Sequence, residues 1–181
     1  MKQWLVIVIV IILIIVIVPA SAYLGLKNAK NTVDEKTAAI ELQFEKREEL
    51  IGKILVIVMI HAAYEYDVIS QLSTLHARLG AAIDMAEKAD TNKKITEAMK
   101  RVDGILEAYP DLRDDINFRQ YSTELYETEK KIDIIRVSYN TSVRVLNRQL
   151  DMFPANKIAA YLELSKAEYY DPSPGDDEDK A

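Results

Sequence analysis

The sequence contains no cysteine, and glycine and proline occur only five times each among 181 residues. The absence of cysteine excludes a disulfide framework, a zinc site built on thiolates and a cysteine nucleophile. The scarcity of glycine and proline argues against an all-β fold, because a β protein of this length needs many turns. The remaining composition, rich in Ala, Leu, Ile, Glu and Lys, favours long helices.

Positive charge is also in short supply, since 23 Lys and Arg stand against 29 Asp and Glu. A nucleic-acid-binding protein needs a basic surface to replace the counterions of the phosphates, so we expect no nucleic-acid partner. The sequence also lacks a Gly-rich phosphate loop and a Gly-x-Ser-x-Gly motif. Phosphoryl and acyl transfer therefore lack their usual parts, and the chain is predicted not to be an enzyme.

One long apolar run stands at the N-terminus, from Trp4 to Val18, with only Val, Ile and Leu after the tryptophan. A helix extended to position 26 would be about 34 Å long, enough to cross a hydrocarbon core of about 30 Å. Trp4 and Tyr23 would lie near the two interfaces, and Pro19 would lie near one end of the span. Residues 1–26 are therefore predicted to be a transmembrane anchor in a lipid bilayer.

A cleavable signal peptide is the alternative interpretation of this segment. Lys2 would supply its basic start, and Ala20-Ser21-Ala22 has the small-residue pattern of a cleavage site. We prefer the retained anchor, because the apolar run is at the long limit for a signal peptide and apolar character resumes after the pattern. The few lysines on either side of the span leave its orientation undecided, with a weak lean to a cytoplasmic C-terminal domain.

Beyond the anchor, apolar residues recur at steps of three and four, which is typical of amphipathic helices packed in a bundle. Short corners between such helices predict an all-α fold, an elongated antiparallel, up-and-down bundle of about four long helices over residues 27–170. The acidic, proline-broken stretch 171–181 is predicted to be a disordered tail. The predicted helices run over about 24–48, 50–89 (after a break near Gly52), 92–108, 118–153 and 156–168.

Several motifs resemble the LemA family, in matching order and spacing over nearly the whole chain. They are Ile40-Glu41-Leu42-Gln43 with Lys46-Arg47, Glu107-Ala108-Tyr109-Pro110-Asp111-Leu112, Asn117-Phe118, Glu124-Leu125, Tyr139-Asn140 and Phe153-Pro154. The chain departs from the family at Gly52-Lys53, where the family usually has Pro-Asn. The resemblance implies a helical bundle on one anchor in a bacterial membrane. It brings no catalytic site, and some relatives are associated with building bacterial membrane organelles.

Five polar residues fall on or beside the apolar seams of the predicted helices. A buried unpaired charge is costly, so these residues are expected to pair with one another in a structural polar layer that fixes helix register. They are Glu65, Glu129, Arg136, Asn140 and Asn147. The histidine nearest to this set, His61, has the wrong offset from Glu65 for a metal-binding bundle motif, so neither a metal nor a cofactor is predicted.

Two groups of side chains are candidates for a protein interface, since the stretch 54–60 is unusually apolar and three late tyrosines suit an interface. The candidate residues are Ile54, Ile57, Met59, Ile60, Tyr161, Tyr169 and Tyr170. They lead to two hypotheses. The first is a self-associating membrane scaffold, a coiled-coil-like homo-oligomer; the second is a monomeric adaptor that presents a helical groove or the acidic tail to an unknown protein partner.

Overall fold

The computed structural model describes residues 2–170, apart from the side chains at positions 2 and 5, and this part of the chain contains helices and no strand. The predicted all-α fold is therefore confirmed. The predicted tail, 171–181, lies outside the described residues. The helices are α1 (Lys2–His61), α2 (Tyr66–Ala81), α3 (Met85–Ile105), α4 (Pro110–Asp114), α5 (Ile116–Asp151) and α6 (Ala155–Tyr161).

Helix α1 runs through two positions that the sequence marks as breaks or bends. It continues past Pro19 and past Gly52, so the predicted break at Gly52 is wrong. Glycine costs only about 1 kcal/mol in a helix, which packing can override. At Gly52 the neighbouring helix comes close, since an added Cβ would lie 3.1 Å from Nε2 of His76. The glycine therefore permits a close approach of α2.

The predicted helix over 50–89 is in fact interrupted twice. The first interruption is at residues 62–65, which contain neither glycine nor proline. The second is at residues 82–84, where the side chain of Asp84 accepts a hydrogen bond of 2.6 Å from the backbone N–H of Glu87 and begins α3. The predicted start of this helix at position 92 is wrong, because Asn92 lies buried inside α3.

The long helix predicted over 118–153 is present as α5 (Ile116–Asp151). Asp115 caps its beginning, since its side chain accepts a hydrogen bond of 2.8 Å from the backbone N–H of Phe118. Pro154 follows its end, as expected for a residue that removes a backbone donor. The last predicted helix is shorter than expected, because α6 ends at Tyr161 and the following residues are not helical.

The described chain divides into two compact units, and α1 and α5 contribute to both. Unit 2 comprises Ala38–Val137 with Tyr169 and Tyr170. It contains the ends of α1 and α5 that α2 and α3 pack against. Its buried core includes Ile40, Phe44, Ile51, Ile54, Val58, Leu72, Leu79, Ile95, Val102, Leu125 and Ile132.

The helices of unit 2 alternate in direction. An added Cβ at Gly80 would approach Glu48, as one at Gly52 would approach His76, so α1 and α2 are antiparallel. Helices α1 and α5 are antiparallel too, since Lys46 contacts Glu124 and the later Lys53 lies over the earlier Tyr121. Unit 2 is therefore an up-and-down bundle.

Unit 1 consists of α1 up to Thr37 together with Ser138–Glu168. Its small core brings Leu26, Ala29 and Val33 of α1 into the same unit as the end of α5. After α6 the chain returns along α5 as a non-helical strap. Asn147 holds this strap, because its amide donates to the carbonyl oxygen of Ala167 at 3.0 Å and accepts from the same residue's N–H at 2.9 Å.

Candidate functional sites: an apolar segment and a buried arginine

The first part of α1 is apolar and lies uncovered. Its best 18-residue window has a mean hydropathy of 3.1, and none of that window is buried within the protein. Trp4 is 77% exposed and Ile15 is 65% exposed. A continuous apolar surface of this size does not suit water and marks contact with a membrane or another protein. By length and composition, this is a helix able to cross a bilayer.

The predicted span residues all lie in this uncovered stretch. Trp4, Val18 and Tyr23 are exposed, and Pro19 stands inside the helix between the last two. Among the described side chains of α1, Leu26 is the first that is buried. The packed part of unit 1 therefore begins where the apolar run ends.

Unit 2 contains a second unusual feature, a buried arginine. Arg47 of α1 is only 1% exposed. Its Nη1 lies 3.3 Å from the carbonyl oxygen of Leu125 and 3.9 Å from Oε2 of Glu129, both on α5. Its Nη2 lies 3.4 Å from Oγ1 of Thr96 on α3. One guanidinium group therefore joins three helices of the bundle.

In this cluster, the burial of Arg47 is opposed by the negative charge of Glu129. Burial lowers the pKa of Arg47, while the carboxylate of Glu129 opposes that shift. Glu129 is further held by the hydroxyl of Thr96, which donates to its Oε1 at 2.6 Å. Arginine remains protonated at neutral pH even when its pKa falls somewhat. The cluster is therefore a charged, hydrogen-bonded contact that fixes α1, α3 and α5 against one another.

A cleft of about 600 Å³ lies beside this cluster, between α3 and α5. Its charged lining is mixed in sign, with Lys93 and Lys100 near Glu129 and Asp133. Tyr170 lies at the cleft, where its hydroxyl accepts a hydrogen bond of 3.3 Å from Asn92. Its ring is stacked on Phe44, with the centroids 6.1 Å apart. Burial raises the pKa of Tyr170 to about 12.

The structure distributes the predicted polar layer over separate contacts. Glu65 lies just before α2 and not inside a helix, and its Oε1 accepts a hydrogen bond of 2.9 Å from the hydroxyl of Tyr109. Glu129 belongs to the arginine cluster described above, and the Nε atom of Arg136 lies 3.2 Å from Oδ1 of Asp133. Asn147 holds the strap of unit 1, and Asn140 is half-buried on α5. The expected pairing of Glu65 with the residues of α5 is therefore not observed.

Two of the predicted interface residues are corrected by the structure. Ile54 is fully buried in the core of unit 2, and Tyr170 is only 4% exposed. Ile54 faces inward because it continues the seam of α1, one turn after Ile51. The other predicted residues are accessible to different degrees: Ile57 and Tyr169 are half-buried, and Met59, Ile60 and Tyr161 are exposed.

Arg47 was missed as a candidate, although the sequence holds a signal for it. The residue stands three positions after Phe44 and four before Ile51, so it interrupts the apolar seam of α1 with a charge. A charge on such a seam must find partners inside the protein. Its partners lie 49 and more residues away and could not be identified from helix periodicity.

Candidate metal ligands do not converge in the described residues. Within residues 2–170 there is no group of three or more His, Cys, Asp or Glu side chains arranged to hold a metal ion. His61 lies 3.5 Å from the carboxylate of Asp115, and the other histidine, His76, faces Gly52. The arrangement described here holds helices together and presents an apolar segment.

The fold and the apolar segment together define a membrane-associated, all-α helical protein. A sequence model of the LemA family matches residues 36–180, which cover unit 2 and the part of unit 1 that follows it. The chain belongs to the LemA family.

Two named proteins are similar in sequence to this chain, at low identity. The chain is 23% identical to Magnetosome protein MamQ 2 of Paramagnetospirillum magneticum, with 81% of this chain and 65% of that protein covered. It is 22% identical to Protein LemA of Metamycoplasma hominis, with 78% of this chain and 67% of that protein covered. The chain thus spans somewhat less than two thirds of the length of the MamQ relative.

Proposed function

We propose that this protein is a single-pass, non-enzymatic membrane scaffold that associates with further copies of itself through its helical bundle. The observation that supports this most is the exposed apolar segment, which is continuous in one helix with the bundle. The lipid bilayer would cover that segment. The name of the MamQ relative assigns that protein to the magnetosome, which supports a role in organising a membrane.

A second apolar surface, on unit 2, favours self-association. We call it the α1–α2 patch; its members are Val56, Met59, Ile60, Tyr64 and Tyr66, which are between 52% and 82% exposed. Exposed apolar patches of this kind are typical of interfaces. Copies anchored in one membrane meet at a high effective concentration, so even a modest patch suffices to hold them together.

The contacts of Arg47 support a structural role for the arginine cluster. The Nη1 and Nη2 atoms of Arg47 are engaged by protein oxygens, and Glu129 is held by Thr96. The guanidinium group of Arg47 is enclosed by the protein, whereas Glu129 also lines the cleft between α3 and α5. We therefore assign the cluster a structural role in joining the helices.

The decisive measurement is the mass of the full-length protein in mild detergent by light scattering. We expect a defined oligomer, and we expect the double variant Met59→Asp/Ile60→Asp to be a smaller species, because two charges would enter the contact. Ile134→Asp is the matched control, since Ile134 is 73% exposed on α5 outside the patch. A wild-type protein that remains monomeric at all concentrations would contradict the scaffold.

A monomer would favour the alternative, a membrane-anchored adaptor, which the cleft between α3 and α5 supports. Its lining carries both signs of charge, as a surface that binds a polar protein segment does. In that case a partner cross-linked in native membranes should be lost in a Lys93→Glu/Lys100→Glu variant. Removal of residues 171–181 should abolish capture if the acidic tail is the element that binds.

A further inference from the structure

Four large apolar side chains are exposed at one end of unit 1. Met152 and Phe153 follow the end of α5 and are 52% and 80% exposed. Tyr161 and Leu162 stand at the end of α6 and are 88% and 41% exposed. We call this set the apolar corner. Neither the arginine cluster nor the α1–α2 patch includes it.

The contacts of unit 1 place this corner beside the apolar segment. An added Cβ at Gly25 would lie 3.7 Å from the side-chain oxygen of Gln149, so α1 and α5 are neighbours at this level. The two helices are antiparallel, and continuing along α5 therefore leads back along α1. Two residues after Gln149, α5 ends at Asp151, about 3 Å further along its axis and level with about position 23 of α1. Met152 and Phe153 follow directly at this end.

The level of the end of α5 can also be compared with the depth of a bilayer. A hydrocarbon core of about 30 Å corresponds to roughly 20 helical residues, so a span that begins at Trp4 ends near position 24. The end of α5, with Phe153 two residues beyond it, would then lie close to the boundary between hydrocarbon and headgroups. Tyr23 lies at that boundary on α1, which is where tyrosine is favoured.

The return of the chain confines the rest of the corner to this end of α5. Nζ of Lys166, in the strap, lies 2.8 Å from the carboxylate of Asp151, the last residue of α5. The segment between them, which includes α6, therefore leaves and returns at the same end of α5. Tyr161 and Leu162 belong to that segment.

We infer that the apolar corner inserts into the headgroup region of the bilayer beside α1, as a second membrane contact of unit 1. This inference rests on the membrane-spanning role proposed for α1. A lipid surface explains why four apolar side chains are uncovered in the segment at the end of α5. It also explains why the end of α5 coincides with the end of the span.

The test is tryptophan fluorescence of the full-length protein in vesicles of phosphatidylcholine. The single native tryptophan is first removed by Trp4→Phe, and one new tryptophan is then introduced per variant. Phe153→Trp reports on the corner, and Ile14→Trp reports on the middle of the span. Val145→Trp is the matched control, because Val145 is also exposed on α5 in unit 1 but lies six residues, about 9 Å, before the end of that helix.

Phosphatidylcholine brominated near the headgroup should remove most of the tryptophan emission at position 153 and leave the emission at position 145 almost unchanged. The tryptophan at position 14 should be quenched less by this lipid than by phosphatidylcholine brominated deep in the acyl chains. A tryptophan at position 153 that is shielded from water but not quenched by bromine would overturn the inference and indicate a protein contact. Equal quenching at positions 153 and 145 would overturn it as well. If Ile14→Trp resists every brominated lipid, the proposed span itself fails, and this result is distinguishable from failure of the corner alone.

Discussion

The two units of the molecule differ in which side chains they bury. Unit 2 buries a core that includes Ile40, Ile51 and Ile95, and it also encloses the guanidinium group of Arg47. Unit 1 leaves a run of isoleucines uncovered, among them Ile14, which is 56% exposed. The difference supports the proposed membrane anchor, because a bilayer would cover the run that the protein itself leaves uncovered.

The largest effect is expected from removing the buried charge of unit 2. Arg47→Ala should lower the free energy of unfolding by about 3–5 kcal/mol, because Glu129 and the carbonyl oxygen of Leu125 lose their partner and a cavity remains. Urea titration in mild detergent measures this loss. The neighbouring Lys46→Ala is the control, since Lys46 makes a partly exposed ion pair worth roughly 0–1 kcal/mol. Equal losses in the two variants would show that burial does not set the strength of the contact.

A somewhat smaller effect is expected when the same substitution is made in each unit. Ile14→Arg should raise the free energy of membrane insertion by about 3 kcal/mol, because a charge then stands at the centre of the span. Ile134→Arg, at a position that is 73% exposed in unit 2, should change folding stability by no more than about 0.5 kcal/mol. The fraction of each protein that remains in membranes after alkaline extraction provides the comparison. Retention of both variants to the same extent would mean that the uncovered run does not span the bilayer.

The smallest effect concerns pH and the buried phenol of unit 2. Burial raises the pKa of Tyr170 to about 12, above the value of about 10 expected for an unfolded chain. The folded state therefore holds this proton more tightly, and the resulting stabilisation is complete below pH 10 and is lost as the pH rises toward 12. The loss should reach about 2–3 kcal/mol.

Tyr170→Phe should remove this part of the alkaline dependence, as measured by urea titrations across that pH window. Tyr169→Phe is the control, because Tyr169 is only half-buried. An unchanged pH dependence in the Tyr170→Phe variant would assign the loss to other groups.

The sequence pattern was sufficient for the fold class and for the best-defined helix. Helix α5 keeps one apolar face over 36 residues and is bounded by Asp115 and Pro154, so periodicity and end signals agree. The motifs around Tyr109-Pro110 and Phe153-Pro154 were specific enough to identify the family. Agreement among independent local signals is what made these predictions secure.

The failures occurred where local signals were weak or misleading. Gly52 suggested a break, but α1 continues through it, and the glycine lies where His76 of α2 comes close. The actual interruption, at residues 62–65, contains no glycine or proline, so neither of these residues marks it in the sequence. It is seen only in the structure, as the turn before α2. The arginine cluster could not be assembled from the sequence, because its members come from three helices that are distant along the chain.

Because α1 is one unbroken helix, a change in its length also rotates the residues beyond the change. Each residue inserted into a helix turns everything beyond it by roughly 100° and advances it by about 1.5 Å. One residue added between Val18 and Leu26 would rotate the packed face of unit 1 relative to the span, whereas an addition close to a whole turn would mainly change its height. The length of this short segment therefore sets both the height and the rotation of the packed face relative to the span. We expect natural variants to differ there in steps of three or four residues.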